Sequence, residues 1–175
     1  MIRRLSLAAT VVVAAAALSS CATFDRNDAA ATVSGVEISR ESLSDVSDWL
    51  AANPQSEAAL RLGVIDLGTG LVDATSTRYV LQVLVHDELL RQFLASAGAS
   101  PSADDIAAAE SRVDGSITGD IRPIYVQEEA LRSALLQLPA EQQAAFAAGI
   151  PASKVSVDSR YGGWDNTTGA IVPLG

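Results

Sequence analysis

Residues 74–97 read ATSTRYVLQVLVHDELLRQFLASA. Val80, Leu84, Leu90 and Leu94 mark a helical apolar face, and Leu81, Val83 and Val85 widen it beyond the single stripe of a surface helix. A helix this broadly apolar is packed on several sides. The segment therefore predicts the central helix of a helical domain, closed by Gly98.

The flanking sequence repeats the helical signal on both sides. Ser102 is a candidate N-cap for a helix from Ala103 to about Val113, with Asp104 and Asp105 in its first turn, where the helix dipole favours negative charge. After Gly115 and Gly119, a helix from Arg122 to Gln137 carries Ile124, Ala130, Leu131 and Leu135, and Pro123 suits its first turn. A short helix from Ala140 to Ala148 follows and ends at Gly149. Upstream, Ser39 caps a helix that runs to Ala52, with Glu41 in its first turn and Leu43, Val46 and Leu50 on one face; Asn53-Pro54 ends it. Residues 55–62 have room for another turn or two of helix, and residues 63–70 (GVIDLGTG) read as a glycine-punctuated loop crossing the core.

Strand-like pieces lie only at the two ends. Residues 31–38 (ATVSGVEI) are two short β-prone runs around Ser34-Gly35, a small hairpin. Val155-Ser156-Val157 alternates as a strand does, Tyr161 to Trp164 reads as a turn with two large aromatics, and residues 171–173 suit a final short strand. A lone two-stranded hairpin is marginal in water. The expected fold is therefore mainly α, five to six helices with a small β-sheet formed by the N- and C-terminal segments pairing with each other.

The first twenty residues have a different logic. Arg3 and Arg4 precede an apolar run from Leu5 to Leu18, about 14 residues, too short for the roughly 20 that a spanning helix needs. This is the pattern of a secretory signal. Leu18-Ser19-Ser20-Cys21 then matches a lipobox, and Cys21 is the only cysteine in the chain. The expectation is a lipoprotein signal peptide over 1–20, a diacylglycerol-bearing Cys21 with a polar tether over 21–30, and a folded domain over 31–175. The lipid bilayer is then the first partner, and the localisation is the extracytoplasmic face of a cell membrane.

Charge narrows the rest. Twelve basic residues stand against twenty-one acidic, and losing Arg3 and Arg4 with the leader leaves 10 against 21, a net −11. A nucleic-acid partner wants a basic face, so that class is disfavoured. Gly68-Thr69-Gly70 lacks the lysine and helix start of a phosphate loop, which disfavours nucleotide. His86 has no nucleophile or metal partner in any motif and reads as a structural histidine. The pairs Asp104-Asp105 and Glu128-Glu129 diverge on their helices and read as solvated faces; Asp158, Asp165 and Asn166 lack calcium-loop spacing. No metal, cofactor or catalytic residue is expected. Trp49, Tyr161 and Trp164 have two readings, plugs for the helical core or the lining of a groove for apolar peptide, and the plug is favoured.

Three stretches carry a resemblance. The opening ATVSGVEISR (31–40), the helix VLVHDELLRQFLASA (83–97) and the tail from Val157 to Asp165 and Thr168 to Pro173 together resemble SurA-type N-terminal chaperone domains and short actinobacterial lipoproteins of that type. The similarity covers nearly all of 31–173. It implies an envelope chaperone domain that binds exported or unfolded polypeptides. The parvulin domain has no room here, so the resemblance implies no isomerase activity. The alternative is an accessory or structural lipoprotein that binds one defined envelope partner.

Overall fold

The computed structural model describes residues 28–54, 56 and 72–175. The leader, the lipobox Leu18-Ser19-Ser20 with Cys21, the tether as far as residue 27, and the expectations placed on residues 57–71, Gly68-Thr69-Gly70 among them, lie outside the described residues.

Ser34 and Gly35 both take left-handed φ values, +50° and +90°. Two consecutive positive values are the tight-turn geometry that matches the twist of antiparallel strands. They reverse the chain between β1 (Ala29–Val33) and β2 (Val36–Ser39). A third strand, β3 (Val155–Val157), lies antiparallel on the other side of β1, with Ala31 opposite Val157 and Val33 opposite Val155. The order β2-β1-β3 pairs a C-terminal strand with the N-terminal hairpin, as expected, and makes β1 the centre of the sheet. One boundary moves. β1 begins at Ala29, two residues before the expected start of the fold, because Ala30 is fully buried and belongs to the core rather than to a tether.

Five helices fill the chain between and beside these strands among the described residues: α1 (Arg40–Ala52), α2 (Ala74–Ser96), α3 (Ala103–Arg112), α4 (Arg122–Gln137) and α5 (Ala140–Gly149). Their starts are chemically marked. Ser39 Oγ accepts from the Ser42 amide at 3.0 Å, Asp73 Oδ1 accepts from the Ser76 amide at 2.6 Å, and Ser102 and Asp105 form a reciprocal capping box. A single 3-10 turn, Gly119–Ile121, leads into α4.

The tail differs from expectation. Trp164 is not in a turn: Gly163–Asp165 (β4) pairs antiparallel with Ala170–Val172 (β5), Trp164 opposite Ile171. Backbone approach explains why glycine precedes β4. Gly162 has φ +130°, and a Cβ there would lie 2.3 Å from the Val172 carbonyl oxygen.

The main core joins β1, α1 and α2 through Val33, Leu43, Leu50, Leu81 and Val85, and Ile171 of β5 closes it from the C-terminal side. Leu90 and Leu94 of α2 meet Leu131 and Ala134 of α4, while Ala109 of α3 meets Val126 and Ala130 of α4. The result is a mainly helical domain with a small antiparallel sheet drawn from both ends of the chain. Among the described residues no helix is long and apolar enough to cross a membrane.

Candidate functional site

On α2, Val80, Val83 and Leu84 fall at the i, i+3, i+4 spacing of one helical face, and the i+7 position of that face is Asp87. Of this face, Val80 is buried and Val83, Leu84 and Asp87 are half-buried among the described residues. The face lines a groove of about 490 Å³, whose other walls are Val46 of α1, the turn carrying Val113, Asp114 and Ile117, and α4. Ile124, Glu128 and Arg132 repeat every four residues along α4, and Tyr125 and Glu129 lie beside them, so a single strip of that helix forms the far wall. Its other surfaces are occupied by the contacts to α2 and α3 described above. The base of the groove is therefore apolar and aromatic, and its rim is charged.

The rim charges are largely matched. Arg132 donates to Glu128 one turn back, and Arg112 donates from Nε to Glu129 at 2.9 Å and from Nη2 to Ser133 Oγ at 2.7 Å. Asp114 Oδ1 accepts from the Ser116 amide at 2.8 Å, which holds its carboxyl below the usual carboxylate range. Arg122 ties down the end of α3, donating to Glu110 at 2.8 Å and to the Ile117 carbonyl at 3.0 Å.

Asp87 is the exception. It is half-buried and makes no hydrogen bond or ion pair among the described residues. Burial pushes its carboxyl from 3.8 up to about 8, the Glu128 carboxylate adds to this, and Arg132 opposes it. The same surroundings raise the Tyr125 hydroxyl to about 12, through burial first and then Glu128 and Asp87. Three acidic groups from two helices thus face one small volume.

The residues singled out from the sequence are distributed as follows. Trp49, Tyr161 and Trp164 are half-buried against the main core, the plug position, and none of them lines the groove. Trp49 meets Tyr125 with ring centroids 6.1 Å apart and so backs the groove from behind. His86 donates from Nε2 to the Gly169 carbonyl oxygen at 2.9 Å and meets the edge of Trp164 at 6.0 Å, a structural placement. Glu128 and Glu129 do not form a solvated face. Both are half-buried in the groove wall, because α4 turns that side toward α2 and α3. Asp104 is exposed, and Asp105 is spent on the cap of α3.

Asp158 and Asp165 are structural as well. Asp158 accepts from Arg160 at 2.8 Å and Arg40 at 3.3 Å, and it is held well below the ordinary range chiefly by Arg160. Asp165 accepts from the Thr167 amide and the Thr168 hydroxyl in the β4–β5 turn, and Asn166 is exposed at the tip. Among the described residues no group of three or more histidine, cysteine, aspartate or glutamate side chains is placed to hold a metal.

Sequence reasoning passed over Asp87. The signal was there: an acidic residue sits where the Val80, Val83, Leu84 stripe calls for an apolar one. Compared with known proteins, the chain matches no family model, no curated protein and no solved structure.

Proposed function

We propose that this protein is a lipid-anchored lipoprotein of the cell envelope whose helical domain holds apolar segments of exported or unfolded polypeptides, without catalysis and without a nucleotide. The observation that carries the reading is the groove. About 490 Å³ bounded by Val80, Val83, Leu84, Ile117, Ile124 and Tyr125 is room for a few apolar side chains, within the usual range for binding clefts. The leader and lipobox put such a groove at a membrane surface, where exported chains emerge unfolded. The resemblance to SurA-type domains points the same way.

The test is an aggregation assay with the full chain in detergent and an unfolded client protein. The expected result is slower aggregation at low molar excess, and loss of that effect when Leu84→Arg fills the groove with charge. If the wild type leaves aggregation unchanged, the reading is wrong. If a pull-down from envelope extract instead returns one stoichiometric protein and no spread of unfolded chains, the accessory-lipoprotein role replaces it.

A further inference from the structure

Charge in the groove is unevenly satisfied. Of its four carboxylates, Glu128 and Glu129 are engaged by Arg132 and Arg112, and Asp114 by a backbone amide. Asp87 alone has no hydrogen-bonding partner among the described residues, although it lies in the wall of the cavity beside Tyr125 and Leu84. An ionised carboxylate buried without a partner is costly, and a donor brought to it by a ligand removes that cost.

We infer that the groove selects apolar polypeptide segments carrying one arginine or lysine, whose cationic group pairs with Asp87 while its apolar neighbours occupy the base. The inference rests on the peptide-holding reading above and names the class of segment that reading leaves open.

Several features favour a cation over a neutral donor. Among the described residues the groove wall holds four carboxylates against two guanidinium groups, an excess of acidic over basic side chains. His86, the remaining titratable side chain on that face of α2, has Nε2 committed to Gly169 and adds no compensating group there. The Tyr125 ring lines the same wall, and an aromatic face beside a carboxylate suits a guanidinium, which can stack and pair together. An incoming acidic side chain would meet Asp87, Glu128, Glu129 and Asp114, so the same geometry rejects anionic segments.

The pairing is also linked to protons. In the empty groove Asp87 holds its proton to about pH 8, under the influence of Glu128 and Arg132 from α4, with Glu129, Arg112 and Asp114 at the rim. A bound cation favours the ionised form, so the segment's arrival expels that proton, and binding tightens as pH rises from about 6 toward 8.

The experiment uses the full chain in detergent and three dye-labelled peptides of one apolar sequence, with leucine, arginine or glutamate at the central position. Fluorescence anisotropy should rank arginine over leucine by roughly tenfold, the gain typical of a charge-assisted hydrogen bond, and glutamate last. Asp87→Asn should bring the arginine-to-leucine ratio close to one, while the exposed Asp104→Asn leaves the ratio as it is. Calorimetry of the wild type at pH 7 in two buffers of different ionisation enthalpy should show proton release with the arginine peptide and none with leucine, which tests the pairing without any variant. Failure of all three peptides to bind overturns the peptide-holding reading itself. Binding of all three with equal affinity overturns the cation selectivity and leaves that reading standing. An arginine preference that survives Asp87→Asn overturns the assignment to Asp87.

Discussion

The Nε2 of His86, in the middle of α2, lies 2.9 Å from the carbonyl oxygen of Gly169, in the turn between β4 and β5. A carbonyl can only accept, so the imidazole carries its proton on Nε2. This bond, the edge contact to Trp164, the bond from the Ile171 amide to Gln82 Oε1 at 3.1 Å and the packing of Ile171 together fasten the C-terminal hairpin to the central helix. Replacing the ring with a methyl group leaves the Gly169 carbonyl without its donor and opens space beside Trp164. His86→Ala is expected to cost about 1–3 kcal/mol, read from urea unfolding, with a shift in Trp164 emission toward that of a hydrated indole. An unchanged midpoint and unchanged emission would show that the hairpin is held by other contacts.

Stability should depend on pH with two opposed limbs. Between about pH 4 and pH 8 folded Asp87 keeps a proton that the unfolded chain releases, because its carboxyl is raised from 3.8 to about 8. Folding therefore weakens as pH rises through that window, by at most about 1.4 kcal/mol per unit. Asp87→Asn abolishes this slope and raises stability at pH 8. Below about pH 4 the sign reverses. Asp158, Asp73 and Asp165 are held below their ordinary values by hydrogen bonds, and their stabilising contribution is lost as they take up protons. Urea midpoints measured from pH 3 to pH 9 on both proteins check the two limbs separately.

Gly162 should tolerate no side chain. A Cβ at that position meets the Val172 carbonyl oxygen at 2.3 Å, a backbone atom that cannot step aside, and the φ of +130° is strained for any L-residue. Gly162→Ala is expected to destabilise by on the order of 3 kcal/mol, combining strain and overpacking. Gly115→Ala is the comparison, since a Cβ there meets nothing within 4 Å. Thermal denaturation of the pair should separate them clearly, and equal melting temperatures would mean the β4–β5 edge relaxes easily.

Cys21→Ser removes the only thiol in the chain, the proposed acceptor for lipid. The expected outcome is an unprocessed precursor or a protein released from the membrane, seen by fractionation and a mobility shift on gels. A normally processed, membrane-retained variant would refute the anchor.

Most of the scaffold was legible in the sequence because its signals are local. Ser39 and Ser102 cap the helices that the apolar spacing predicts, and Ser34-Gly35 makes the turn its residue types suggest. The pairing of the two chain ends in one sheet followed from the marginal stability of a lone N-terminal hairpin. What stayed hidden depends on which neighbour a face meets. Trp164 looks like a turn residue beside two glycines, and only Ile171 across the ladder makes its segment a strand. Glu128 and Glu129 look solvated on α4 alone, and become groove walls once α2 and α3 stand on either side. Asp87 was masked by its neighbours His86 and Glu88, which make a run of polar residues look like an exposed patch.

The place of β1 in the sheet also sets the order in which the chain can finish folding. Its second partner, β3, is supplied by residues 155–157, more than a hundred positions downstream, so the central strand stays half-paired until that segment is present. Pairings of such high sequence separation form late, after the loop between them has been closed. If the chain is exported as proposed above, this arrangement keeps it a loose polymer until its late segments have crossed the membrane. The N-terminal strand waits, unfinished, for the tail to arrive.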